Sequence, residues 1–361
     1  MYKIVVSGYF GFNNIGDEAI LMSFINSVKR DVKNVEITVL SKNPKETSET
    51  YGVKSIDRMN ILQILKELNK ADLFVSGGGS LLQDVTSTKS LYYYLTLINI
   101  AKKICKKKVM IYAQGIGPIQ KSRQKYTAKV LNTVDTITVR DKGSYEFLKS
   151  IGVNKNITLT ADSVFLMPEA DKKIGLKLLY DLNISQNKTN IAIVIRPWKE
   201  MDDKIKSEII KFAQKIDTQK INLILLPFYF DADKKINLDI YEKISDKIFF
   251  VDKKLTIEEM LSVIANTDIT ISMRLHGLIF ATLNLSYPVG ISYDPKVKDF
   301  LSSMNLNCMD VEEINADKLF EEVMNVYTNI KTKKSELKKH RDKFVAESEL
   351  NNKKLIKLLG E

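Results

Sequence analysis

An arginine and a histidine two residues apart at the end of a strand are the chain's most chemically suggestive feature. The segment reads Ser272-Met273-Arg274-Leu275-His276-Gly277. In an extended exit from a strand, residues i and i+2 face one side, so Arg274 and His276 are expected together, with Leu275 directed into the core. The other of the two histidines, His340, lies in a basic C-terminal stretch. A histidine beside an arginine at a helix start suits proton transfer next to a bound anion better than it suits packing. Two further cations stand at strand ends. Arg196, stiffened by Pro197 and Trp198, either meets an anion or stacks on Trp198 at the surface, and Lys296, after Tyr293-Asp294-Pro295, either joins it or is an exposed helix-start lysine.

Glycine-rich turns supply a second kind of chemistry. The stretch from Gly8 to Glu18, which contains Gly16 and Asp17, follows the first strand; it lacks the glycine spacing of a dinucleotide fingerprint and the lysine of a P-loop. It either presents backbone N–H groups to a ligand or is a tight turn with Asp17 capping a helix. Gly77, Gly78 and Gly79 follow another strand, with Asp84 just beyond, and are expected to leave backbone donors open to a carboxylate, phosphate or sugar. Gln114-Gly115-Ile116-Gly117-Pro118 and Arg140-Asp141 repeat the theme, although Arg140 and Asp141 also read as an internal ion pair that fixes a loop.

Such residues need strands to carry them. Short β-branched runs alternate with helical patterns throughout, the signature of βαβ units and parallel sheets. Strands are predicted at 3–7, 35–40, 73–75, 109–113, 136–139 and 157–159, and again at 191–195, 221–227, 248–251, 269–272 and 289–292. Helices are predicted at 17–30, 61–68, 91–105, 124–133, 203–217, 257–266, 278–283 and 297–304, with a charged helical stretch after Pro168 and a helical tail from Ala316. The fold class is therefore α/β, two doubly wound Rossmann-like domains at 1–167 and 168–330, followed by a basic helical tail at 331–361 that is expected to pack back on the first. Open parallel sheets bind ligands at the carboxyl ends of their strands. A site between the two halves is the expectation.

Composition narrows the function. Of 361 residues, 44% are hydrophobic and 27% charged, the balance of a folded protein. The longest apolar runs are too short for a bilayer, which takes about 20 residues, and Met1 to Gly8 lacks the marks of a signal peptide. Two cysteines, Cys105 and Cys308, have no ligand-spaced partners, which argues for a reducing, cytoplasmic setting and against a metal site. The net charge of +11 concentrates in five lysines across 102–108 and in the tail, where ten Lys or Arg face five Asp or Glu over 331–361. These are solvated helix faces or a peripheral contact with anionic lipid at the inner membrane face. No nucleic-acid-binding signature is present.

In order, Asn14-Ile15-Gly16-Asp17-Glu18, Gly77 to Gly79, Gln114 to Pro118, Arg140-Asp141, Ala161-Asp162, Arg196-Pro197, Arg274-Leu275-His276-Gly277 and Lys296 resemble the polysaccharide pyruvyl transferase family. Within it the chain looks most like the bacterial CsaB branch. The resemblance implies a glycosyltransferase-B-like fold, phosphoenolpyruvate as donor substrate with no cofactor, and a 4,6-linked pyruvate ketal on a sugar of a cell-wall polysaccharide precursor, with a lipid-linked oligosaccharide as acceptor. The family's functional arginine, its Arg-Leu-His motif and its lysine fall on Arg196, Arg274 to His276 and Lys296. In that chemistry His276 shuttles protons, Arg196, Arg274 and Lys296 hold phosphate and carboxylate, and Asp17 or Asp84 deprotonates the acceptor. The rival reading is a nucleotide-sugar glycosyltransferase of the same fold, with Arg274 and Lys296 on a diphosphate.

Overall fold

The computed structural model describes residues 1–85, 87–185 and 187–360. The chain divides into two units, Met1–Met167 with Lys343–Glu361, and Pro168–Asp342.

In chain order the first unit contains β1 (Tyr2–Ser7), α1 (Ile15–Asp31), β2 (Val35–Ser41), α2 (Pro44–Tyr51), β3 (Lys54–Asp57), α3 (Ile61–Lys70), β4 (Leu73–Ser76) and β5 (Gly79–Leu82). It continues with α4 (Thr88–Asn99), β6 (Lys108–Ile116), α5 (Lys121–Leu131), β7 (Thr136–Val139), α6 (Lys142–Ser150) and β8 (Ile157–Leu159). The strands are parallel in the order β3-β2-β1-β4-β6-β7-β8, with β5 paired to β6. Helices cover the sheet, so its central strands read as continuous apolar runs such as Ile4–Val6 and Leu73–Val75, all buried.

The second unit begins with α7 (Lys172–Asp181), β9 (Thr189–Val194), α8 (Asp202–Lys215), β10 (Ile221–Leu225), α9 (Phe230–Ile244), β11 (Ile248–Phe250) and α10 (Ile257–Ala265). Then come β12 (Ile269–Ser272), α11 (Leu275–Leu283), β13 (Tyr287–Ser292), α12 (Pro295–Ser302), β14 (Cys308–Asp310), α13 (Ala316–Thr328) and α14 (Ile330–Leu359). Its parallel sheet runs β11-β10-β9-β12-β13-β14. In both units the strand order reverses beside the first strand, between β1 and β4 and between β9 and β12. These are the crevices where doubly wound sheets take ligands.

The differences from the sequence reading have local causes. The edge strand β3 buries only Ile56, so its pattern carries little signal. The helix predicted over 91–105 is α-helical only to Asn99 and closes through a π turn at Ile100–Ile104, with Cys105 N–H on the Ile100 carbonyl at 2.9 Å. The strand predicted to 227 stops at Leu225, and α9, which has no counterpart in the prediction, follows.

Residues 331–359 continue a longer helix. They belong to α14, whose start is tied to the second unit by Lys334 Nζ on Asp268 Oδ1 at 2.8 Å. Its later turns pack on the first unit, with the Tyr112 hydroxyl donating to Asn352 Oδ1 at 2.6 Å and the Ser348 hydroxyl to the Asp162 carbonyl at 2.9 Å. Ser348, Asn351, Asn352 and Leu355 are buried, while Lys343, Lys353 and Lys357 face solvent.

Candidate functional site

The second unit gathers Arg196, Arg274, His276, Tyr293 and Lys296 along the carboxyl edge of one sheet. Ser272 of β12 is registered with Val194 of β9 and with Gly290 of β13, so the residues just past each strand emerge side by side at the crevice. Met273 N–H donates to the Val194 carbonyl at 2.9 Å and extends the pairing one step.

Arg196 is half-buried and held at both ends. Its Nη1 donates to the Tyr293 hydroxyl at 2.9 Å and its Nε to the Pro197 carbonyl at 3.2 Å. Its guanidinium carbon lies 4.7 Å from the Tyr293 ring centre and 5.7 Å from that of Trp198, and the two rings are themselves 4.5 Å apart. The aromatic pair thus presents the arginine at the crevice in a defined orientation, stacked beside Trp198 and Tyr293.

Arg274 differs from the expectation. It is not in an extended exit shared with His276: α11 begins at Leu275, Arg274 is its N-cap residue, and His276 already belongs to the first turn. The core position belongs to Met273, which is fully buried, while Leu275 is half-exposed. The guanidinium of Arg274 is paired to Asp233 through Nε–Oδ2 at 2.8 Å and through a second bond between Nη2 and Oδ1. Asp233 is itself buried in the first turn of α9 and accepts the Tyr229 N–H at 2.9 Å and the Phe228 N–H at 3.2 Å. Sequence reasoning missed it because α9 was missed; an acidic residue in a helix's first turn is a common pattern with no pointer to a partner forty-one residues on.

His276 is half-buried, and Gly277 explains how it gets close to the strand: a Cβ on Gly277 would stand 2.3 Å from Ser272 Oγ. Ser272 Oγ in turn accepts the Arg274 N–H at 3.0 Å and donates to the Arg274 carbonyl at 2.8 Å, which locks the strand-to-helix turn. Lys296, also half-buried, sits in the first turn of α12, where its N–H donates to the capping Asp294 Oδ1 at 3.0 Å.

The first unit places the glycine turns at its own reversal point. Asn14, not Asp17, caps α1: Asn14 Oδ1 accepts the Gly16 N–H at 3.3 Å, and Asn14 Nδ2 donates to Asp17 Oδ2 at 2.6 Å. Gly77, Gly78 and Gly79 are buried. A Cβ on Gly78 would stand 2.9 Å from Ile20 Cγ2, and one on Gly79, at φ +86°, 3.0 Å from Asp17 Oδ1. The run lets β4 and β5 pass close to α1. Gln114 is buried and donates to Ser76 Oγ and the Gly77 carbonyl, both at 2.7 Å. Asp84 accepts from Arg123 Nη1 at 2.7 Å and from the Gln120 N–H, so its oxygens are engaged structurally. Arg140 pairs with Asp162 at 2.6 Å and with Ser80 Oγ at 3.0 Å, while Asp141 lies at 3.8 Å; its principal ion-pair partner is Asp162.

The sequence profile described as polysaccharide pyruvyl transferase matches residues 14–295. The chain belongs to the polysaccharide pyruvyl transferase family. All the strand-end residues of both reversal points fall within the matched stretch except Gly8 to Asn13 and Lys296. Among curated proteins it is similar to the amylovoran biosynthesis protein AmsJ of Erwinia amylovora, 22% identical over 91% of this chain and 92% of that one. Solved structures share its fold: HepE of Anabaena in complex with UDP and glucose, at TM-score 0.67 and 11% identity over 99% of each chain, and MnaA of S. aureus with UDP, at TM-score 0.64 and 12% identity over 93% and 91%. The fold is accordingly α/β with two Rossmann-like domains of the glycosyltransferase-B type. Among the described residues no helix is long and apolar enough to cross a membrane.

Proposed function

We propose that this member of the family transfers the pyruvyl group of phosphoenolpyruvate to two hydroxyls of one sugar, as a CsaB-like enzyme acting on a lipid-linked cell-wall precursor at the inner face of the cell membrane. The observation that carries the donor half is the row of Arg196, His276 and Lys296 at the strand reversal of the second unit, with Arg196 oriented by Tyr293 and Trp198.

In this reading Arg196 and Lys296 take the carboxylate and phosphate of the donor. Arg274, neutralised by Asp233, positions the start of α11 and with it His276. The imidazolium of His276 protonates the methylene carbon, and a sugar hydroxyl attacks the adjacent carbon as it becomes cationic, giving its proton back to the imidazole. The C–O bond to phosphate then breaks, phosphate leaves, and the second hydroxyl closes the ketal, its proton departing with phosphate. Fixed cations beside the leaving phosphate lower that barrier.

His276→Ala is expected to lower turnover by about 10²–10⁴-fold, the usual span for a general acid–base group, while donor binding persists. The assay is phosphate release from phosphoenolpyruvate in the presence of glycan acceptor. Near-normal turnover in that variant defeats the proton-transfer role. UDP release from UDP-sugars in place of phosphate release from phosphoenolpyruvate defeats the donor assignment in favour of a glycosyltransferase.

A further inference from the structure

At the carboxyl edge of the first sheet a guanidinium is buried without a carboxylate. Arg58 follows β3 directly, is 9% exposed, and anchors its backbone N–H on the Ser41 carbonyl at 3.0 Å. Its side chain reaches the turn after β1, where Nη1 lies 3.5 Å from the Gly8 carbonyl and Nη2 3.3 Å from the Tyr94 hydroxyl. The guanidinium carbon stands over the rings of Tyr93, Phe12 and Tyr94 at 4.5, 5.2 and 5.5 Å. The neighbouring Asp57 accepts the Met59 N–H through its Oδ1 at 2.8 Å. Among the described residues no carboxylate comes within ion-pair distance of Arg58.

Ring faces offset only part of the cost of taking a guanidinium out of water, and the contacts to the Gly8 carbonyl and to the Tyr93 and Tyr94 hydroxyls are all uncharged. Such a group is completed by an anion. Beside it Tyr9 and Phe12 stack with ring centres 4.0 Å apart, and both, like Tyr93, remain half-exposed. A fixed cation flanked by half-exposed aromatic rings matches a sugar that carries its own phosphate. Resting on the transferase reading above, the geometry points to an acceptor subsite in the first unit for a glycosyl phosphate. Arg58 takes the phosphate with its planar fork, and the exposed parts of the Phe12 and Tyr93 rings take the apolar side of the sugar ring. A nucleotide or a lipid beyond the phosphate offers the same chemistry.

Calorimetric titration of the full chain tests this with N-acetylglucosamine, N-acetylglucosamine 1-phosphate and inorganic phosphate as probes. The sugar phosphate is expected to bind tighter than either part alone. Arg58→Gln is expected to weaken it about tenfold, the loss of a charge-assisted hydrogen-bond pair, with affinity for the neutral sugar and for phosphoenolpyruvate unchanged. Phe12→Leu is expected to weaken sugar and sugar phosphate alike. Arg58→Lys, which keeps the charge and loses the fork, serves if the glutamine variant does not fold, and is expected to weaken the sugar phosphate as well. Competition by UDP-N-acetylglucosamine and by a prenyl-phosphate-linked sugar in detergent tells what lies beyond the phosphate. Equal binding of sugar and sugar phosphate by the wild-type chain, or undiminished binding by a folded Arg58 variant, overturns the proposal. Loss of the transferase reading has a separate signature: no phosphoenolpyruvate binding while sugar phosphate still binds.

Discussion

Asp233 grips the guanidinium of Arg274 from the side, Nε to Oδ2 at 2.8 Å with a second bond from Nη2 to Oδ1. Because Asp233 is fully buried and also holds the Tyr229 N–H at 2.9 Å, the helix after β10 sets the arginine that caps α11. Two neighbouring crossovers are thereby tied together at the edge where the candidate chemistry sits.

Removing one partner of that pair leaves the other charged and buried. Asp233→Ala is expected to cost about 3–5 kcal/mol, read by urea unfolding, and Asp233→Asn less. Both lower kcat/KM if Arg274 positions His276. An Asp233→Asn variant with wild-type stability and activity shows the pair to be dispensable.

Gly277 tests the tight turn independently of charge. Gly277→Ala forces a methyl into Ser272 Oγ at 2.3 Å, and overpacking of this kind costs about 1–3 kcal/mol. Activity should fall with it as His276 is displaced. Adding Ser272→Ala removes the clashing oxygen, so the double variant should recover part of the stability; additive losses instead would show that the contact is not the cause.

Arg196 is defined by its aromatic support. Arg196→Lys keeps the charge but loses the planar stack and the Nη1 bond to the Tyr293 hydroxyl, so it should raise the donor KM nearly as much as Arg196→Ala. Tyr293→Phe keeps the ring and drops only the hydroxyl, and a several-fold smaller effect is expected. A lysine variant with an unchanged KM speaks against an oriented fork.

Glu18 brings pH into the first unit. Its Oε1 accepts the Gly11 N–H at 2.8 Å and its Oε2 the Tyr51 hydroxyl at 2.8 Å, while burial pushes its carboxyl above the ordinary value of 4.5 despite those bonds. A raised folded-state value means that the fold favours the neutral acid: the stabilisation is complete below the ordinary value and is lost as pH rises through the raised one. Glu18→Gln should therefore lose less stability than wild type on going from pH 4.5 upward, read as the difference in unfolding free energy at each pH. Parallel pH profiles would refute the burial effect.

How much of this was legible beforehand depends on distance along the chain. Strands such as Lys3–Ser7 and Ile269–Ser272 announced themselves because a buried parallel strand must be apolar on both faces, and helices between them because the crossover must bury one stripe. Among the elements that stayed hidden, with α2, α6, β5 and β14, are the edge strand β3, for want of buried residues, and the helix α9, because it follows directly on the apolar run 223–230.

Local sequence by itself determined the alternation, hence two doubly wound sheets, and it marked Arg196, Arg274, His276 and Lys296 as lying beyond strand ends, since period and turn residues act over a few positions. Only tertiary structure decided which cations are spoken for. Arg274 is matched to Asp233 and Arg140 to Asp162, whereas Arg58 is buried among rings. Strand order, a non-local property, chooses which crossovers become neighbours, and the partner of a side chain comes with that choice.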